Sequence, residues 1–144
     1  MSTYADTSFL VSLYVFDDNS PQATAIFSNL AFPFVLTPLH EAEIVNAFYL
    51  RIFRKESGEK QIRTSLELFG KDVRAGVFEP KSFSNEIFRQ AAQISSRRTA
   101  KFGTRTLDRL HVASAVFLQT EKFCTFDRKQ AELARAEGLV VRGC

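Results

Sequence analysis

The sequence predicts an α/β protein, a three-layer α/β/α sandwich around a central parallel sheet. Three observations predict it. Short apolar runs recur along the chain, each followed by a turn or capping residue and then by a segment with helical character. These runs are joined through helices, and such crossovers imply parallel pairing with helices on both sheet faces. At 144 residues, with 45% apolar and 24% charged residues, the chain suits one domain spanning 1–144, and no repeat or Pro/Gly-rich linker divides it.

The elements follow in order. Ser2–Ala5 is a short strand ending in Asp6, and Thr7 and Ser8 supply hydroxyls that favour a helix start. Phe9–Phe16, apolar with one polar break, reads as a buried helix. Asp17–Pro21 is a turn that opens a helix to about Leu30, with Pro at its first position. Phe32–Thr37 suits a buried strand with proline near its start. Thr37 and Pro38 then open a long helix to about Lys55. Ser57 and Gly58 break it, and Glu59–Arg74 is the next helix. Val77–Pro80 is a brief strand, Asn85–Lys101 a helix ended by Gly103, and Leu107–Leu118 a helix apolar enough to lie deep. Phe123–Phe126 is a strand ending in Asp127. A helix over Arg128–Glu137 closes at Gly138, and Leu139–Val141 is the last strand.

Several function classes are excluded or disfavoured. No apolar run approaches the roughly 18–20 residues of a membrane span. The first residues lack the basic start and apolar stretch of a signal peptide. Two cysteines, Cys124 and Cys144, have no metal-binding spacing and are too few for a disulfide scaffold, so a cytoplasmic setting is expected. The net charge of +3 permits nucleic-acid binding without requiring it.

In open parallel sheets, ligands bind at the carboxyl ends of the strands, near the point where strand order reverses. Asp6 and Asp127 each follow a strand and precede a helix, so each is a helix cap, a site residue, or both. Asp108 opens the most apolar helix, as a dipole partner or a group held at a site. Glu41 and Glu43 lie early in the helix from Pro38. Glu41 falls on the face of Val45, Phe48, Tyr49 and Ile52, and Glu43 beside Ala47 and Leu50; periodicity leaves the choice open. Two carboxylates ~5 Å apart repel by about 3 kcal/mol at an effective dielectric near 20. A convergent set therefore takes up protons or binds a cation. All-oxygen ligands select Mg²⁺ or Mn²⁺, and such ions favour phosphate chemistry.

Four stretches then resemble the PIN-domain family, in particular the toxin nucleases of VapBC-type toxin–antitoxin pairs. They are Ala5-Asp6-Thr7-Ser8, Leu36 to Ile44, Arg105 to Ala113, and Thr125 to Gln130 with Ala134 and Gly138. The resemblance spans nearly the whole chain. It implies one acidic pocket of Asp6, Glu43, Asp108 and Asp127, matching Glu43 rather than Glu41. It also implies a Mg²⁺- or Mn²⁺-dependent endoribonuclease cleaving structured RNA such as tRNA, with Thr7, Ser8 and Thr125 as supporting hydroxyls. A small antitoxin partner, a homodimer and a toxin–antitoxin hetero-oligomer are implied as well. Part of the Phe-rich start, Phe9–Phe16 and Phe27, is then available as a groove for an antitoxin helix. The competing expectations are a non-catalytic PIN-like module acting through its partner, and a metal nuclease of RNA maturation or DNA.

Around the acids, Arg97, Arg98, Lys101, Arg105 and Arg109 form a basic stretch expected to meet RNA phosphates. Arg51, Arg54 and Lys55 form a second basic group. Arg109, where the family often has a small residue, puts a cation next to Asp108 in sequence, and whether the two pair is left open by the sequence. His111 is expected to be a buried, hydrogen-bonded group, His40 a first-turn surface residue, and Cys124 part of the core.

Overall fold

The computed structural model describes residues 2–30 and 33–144. Within them the order is β1 (Thr3–Ala5), α1 (Thr7–Tyr14), α2 (Ser20–Asn29), β2 (Phe34–Leu36), α3 (Pro38–Phe53) and α4 (Glu59–Arg74). Then come β3 (Phe78–Pro80), α5 (Asn85–Phe102), α6 (Thr106–Phe117), β4 (Lys122–Cys124), α7 (Arg128–Ala136) and β5 (Val140–Arg142). Every strand pairing is parallel, in the order β3-β2-β1-β4-β5. The predicted three-layer α/β/α architecture is therefore the observed one. The expected start of the second strand at Phe32 lies outside the described residues.

Alternation along three-residue strands divides the core into two layers. Ala5, Phe34, Leu36 and Cys124 face one side, where Phe9, Leu10, Ile44, Phe48, Ile62 and Phe69 of α1, α3 and α4 cover them. Tyr4, Val35 and Phe123 face the other side, against Ile87 and Ile94 of α5, Val112 and Ala113 of α6, and Leu133 of α7. Burying each large apolar side chain contributes roughly 1.5–3 kcal/mol. With both faces covered, the central strands β1, β2 and β4 need no polar alternation, which is why they read as apolar runs, while the edge strands β3 and β5 stay partly exposed.

Local chemistry sets the helix ends. Gly103 adopts φ +63°, the left-handed conformation that terminates α5. Helix α1 stops at Tyr14, two residues short of the expected end, and Phe16 is 77% exposed rather than buried. The Ser20 hydroxyl explains the stop: it donates to the Ser12 carbonyl (2.7 Å) and accepts from the Asp17 N–H (2.8 Å), folding the chain into α2. No helix among the described residues is long and apolar enough to cross a membrane.

The chain leaves β1 toward β2 and β3 on one side, then returns through α5 and α6 to place β4 on the other. The switch point thus lies between β1 and β4, with Tyr4 opposite Phe123 and Ala5 opposite Cys124. The Asp6 N–H extends this ladder to the Cys124 carbonyl at 3.0 Å. Residues just past these two strands are held side by side.

Candidate active site

A cavity of about 580 Å³ opens at that switch point, and Asp6, Glu43, Asp108 and Asp127 all line it. Asp6 and Asp127 arrive from the ends of β1 and β4, Glu43 from the second turn of α3, and Asp108 from the first turn of α6. Glu41 is exposed and is not among the lining residues, so the cavity takes the acid on the Ala47–Leu50 side of α3.

Asp6 is nearly inaccessible. Its Oδ1 accepts from the Phe9 N–H (2.8 Å) and the Ser8 hydroxyl (3.0 Å), and its Oδ2 from the Thr125 hydroxyl (2.6 Å). It is a helix cap and a cavity acid at once. Burial pushes its carboxyl above the usual aspartate range, against the pull of the Thr125, Phe9 and Ser8 hydrogen bonds and the His111 charge. No arginine or lysine pairs with it among the described residues. Asp127 also caps its helix, accepting the Gln130 N–H at 3.0 Å, while its own N–H binds the Thr125 oxygen at 3.0 Å. Thr125 therefore links the two strand-end aspartates.

Glu43 is half-buried. Its Oε1 accepts from the Thr7 hydroxyl (2.7 Å) and lies 2.5 Å from His111 Nε2. Burial alone would raise this carboxyl; the His111 hydrogen bond and charge, the Thr7 hydroxyl and Arg105 together carry it below the ordinary glutamate value. On its other side, His111 Nδ1 meets the Tyr4 hydroxyl at 2.9 Å. Burial holds the Tyr4 phenol well above its usual range, so Tyr4 keeps its proton. The result is a line of hydrogen bonds from the sheet interior through His111 to Glu43. His111 is buried as expected, but it also lines the cavity.

His40 is not a surface residue; it is fully buried. Its Nδ1 accepts the Thr37 N–H (3.0 Å), completing a capping box at the start of α3, and its Nε2–H donates to the Ala5 carbonyl (2.7 Å). Both ring nitrogens are committed in the neutral form. Burial, reinforced by the His111 charge and opposed by the Ala5 carbonyl, lowers its pKa to about 3. Cys124 is core as expected.

The sequence profile of the PIN domain matches residues 3–136. The chain belongs to the PIN domain family. No curated protein matches it significantly by sequence. Among solved structures, it is similar to VapC20 of Mycobacterium tuberculosis, a sarcin-ricin loop cleaving toxin, at 16% identity over 96% of each chain with a TM-score of 0.69. It is likewise similar to FitAcB from Neisseria gonorrhoeae, at 19% identity over 96% of this chain and 95% of that one, TM-score 0.70. A third is VapBC2 from Rickettsia felis bound to a promoter DNA fragment, at 14% identity over 99% and 98%, TM-score 0.66.

The basic residues of this PIN domain are placed differently from the sequence reading. Arg97 and Arg98 both pair with Glu137, at 2.8 and 2.9 Å, and Lys101 sits over the Phe102 ring. None of the three lines the cavity. Arg109 reaches back to the Thr104 carbonyl rather than to Asp108. The cation beside Asp108 is instead the exposed Arg105, at 3.4 Å, one helical turn earlier. From the second basic group, Arg51 and Arg54 line the cavity, with Arg51 paired to Asp17 at 3.1 Å.

The donors facing the cavity are mainly carboxylate and hydroxyl oxygens, the chemistry of a hard divalent ion, and the one imidazole among them, His111, is turned to Glu43 and Tyr4. The buried Asp6 carboxyl without a cationic partner fits such an ion, since a buried charge is costly unless compensated. Among the described residues no three Asp, Glu, His or Cys side chains stand close enough to enclose a metal. Two of the four acids face a basic side chain, Glu43 that of His111 and Asp108 that of Arg105.

Proposed function

We propose that this PIN domain is a metal-dependent endoribonuclease of the VapC type, the toxin of a toxin–antitoxin pair, acting in the cytoplasm on structured RNA such as tRNA. The observation that carries this reading is the convergence of Asp6, Glu43, Asp108 and Asp127 on one cavity at the β1–β4 switch point. The fold it shares with a sarcin-ricin loop cleaving toxin and with FitAcB and VapBC2 supports it further.

Asp6 and Asp108 would be the principal ligands for Mg²⁺ or Mn²⁺, and Glu43 and Asp127 would complete the set or orient the attacking water. The ion would supply a water of lowered pKa and neutralise charge at the scissile phosphate. The protein's own part is preorganisation. Thr125 and Ser8 fix the two oxygens of Asp6, and Thr7 with His111 fixes Glu43, so these carboxylates would meet an ion already ordered. The partner is a small antitoxin that covers the cavity, with a toxin homodimer inside a toxin–antitoxin hetero-oligomer.

The test is cleavage of a mixed tRNA pool by purified protein without antitoxin, in Mg²⁺ or Mn²⁺, beside EDTA and Asp108→Asn controls. Discrete fragments that vanish in both controls are expected. If neither cleavage nor a metal-induced rise in melting temperature is seen in wild type, the four-acid site is wrong and a non-catalytic binding module is the better reading.

A further inference from the structure

The acid cavity does not end at the acids. Arg105, Asp108 and Asp127 also line a second cavity of about 470 Å³, whose wall continues through Gly103 to Arg128 and Lys129 at the start of α7. At the opposite end, the first cavity runs up α3 to Arg51 and Arg54. Basic side chains thus flank the four carboxylates on two sides, carried by different elements.

Among the described residues, the side chains of Arg54, Arg128 and Lys129 make no hydrogen bond or ion pair, and all three are exposed. This separates them from the other arginines near the site. Arg97 and Arg98 are taken by Glu137, Arg51 by Asp17, and Arg109 by the Thr104 carbonyl. An unpaired cation beside a carboxylate cluster, yet not neutralising it, is available to a negatively charged ligand from outside. Two such groups on either side of the acids suit a linear polyanion better than a single small anion.

We propose that an RNA strand crosses the acid cavity from the α3 side to the α7 side. Arg54 holds backbone phosphate on one side of the scissile bond, and Arg128 with Lys129 holds it on the other. The inference rests on the nuclease reading for the position of the scissile bond. It replaces the stretch Arg97–Lys101 as the RNA-contacting surface. These contacts go to phosphate, so they position the strand and carry no base preference.

The experiment is fluorescence anisotropy with a short labelled single-stranded RNA in EDTA, where binding is read without cleavage. Wild type is compared with Arg54→Gln, with Arg128→Gln/Lys129→Gln, and with Lys60→Gln/Lys71→Gln. The last pair is exposed on α4, outside both cavities, and makes the same charge change as the α7 double variant. The groove variants are expected to lose roughly tenfold in affinity at low salt. Their salt dependence should be shallower by about 0.7 for each phosphate contact removed. The α4 control should stay within about twofold of wild type, as expected for charges screened from the strand. Equal losses in control and groove variants, or a wild type that does not bind RNA, would overturn the inference. The nuclease reading is scored separately by wild-type cleavage of tRNA. Groove-dependent binding without cleavage upholds the strand path and removes the nuclease; cleavage and binding indifferent to all three cations does the reverse.

Discussion

The Thr125 hydroxyl donates to Asp6 Oδ2 across 2.6 Å, joining the residue after β4 to the residue after β1. Every other donor to Asp6 is neutral as well, namely the Ser8 hydroxyl and the Phe9 N–H. The carboxylate is thus hydrogen-bonded yet electrostatically unpaid, and its raised pKa is the signature of that condition.

The sign of this effect is testable. A carboxyl whose folded pKa is raised destabilises the fold wherever it is ionised there. In metal-free protein at neutral pH, Asp6→Asn removes the buried charge while keeping an acceptor for Phe9. It is expected to raise stability by roughly 1–2 kcal/mol. The same variant is expected to lose any stabilisation by Mn²⁺ and all cleavage. Thermal unfolding in EDTA and in Mn²⁺ checks both, and a lower melting point in EDTA would contradict the account.

Tyr4 and His111 form a buried pair whose disruption is asymmetric. His111→Leu leaves the Tyr4 hydroxyl without its imidazole partner, at a cost of about 1–3 kcal/mol. Adding Tyr4→Phe removes the stranded hydroxyl, so the double variant is expected to be more stable than His111→Leu alone. Urea midpoints of the two singles and the double decide this. RNA cleavage should stay depressed in the double, because Glu43 has still lost its His111 partner.

His40 gives a pH dependence with a defined direction. Its folded pKa is about 3 against an unfolded value near 6.5. Between these values the unfolded chain binds a proton that the folded chain excludes, so stability falls as pH drops through about 6.5. The contribution approaches roughly 1.4 kcal/mol per pH unit below that point. His40→Gln retains a side chain able to close the capping box and cannot titrate. Urea midpoints between about pH 7 and 5 should slope less in His40→Gln than in wild type; identical slopes would refute the assignment.

Gly143 rests on the backbone of Thr125. With φ at +107°, a Cβ there would lie 2.2 Å from the Thr125 carbonyl oxygen. Gly143→Ala must therefore move one segment off the other, with an expected loss of about 1–3 kcal/mol. A melting curve measures it, and an unchanged melting temperature would show that the close approach is dispensable.

Much of this architecture is legible in local sequence because the signals are local. Gly58 and Gly103 punctuate helices, and the central strands are apolar because both of their faces are covered. The acids at positions 6 and 127 are legible for the same reason, each lying between a strand and a helix. Glu43 was not separable from Glu41 by periodicity, because α3 buries one stripe and lines a cavity with another; only the family motif chose it. His40 was misplaced because its environment is made by Ala5, 35 residues away. Arg97 and Arg98 read as a basic surface because their partner, Glu137, lies about 40 residues downstream. Long-range pairing decides which cations are spent, and no local pattern reports it.

The Thr125–Asp6 bond spans 119 positions. Asp6 emerges early in synthesis, but its second oxygen has no donor until β4 has been made and inserted beside β1. Helix α6, which carries Asp108, comes just before that strand, and Asp127 just after it. The cavity thus depends on β4 lying beside β1: the same long-range pairing that joins these two strands brings together the segments that carry the carboxylates.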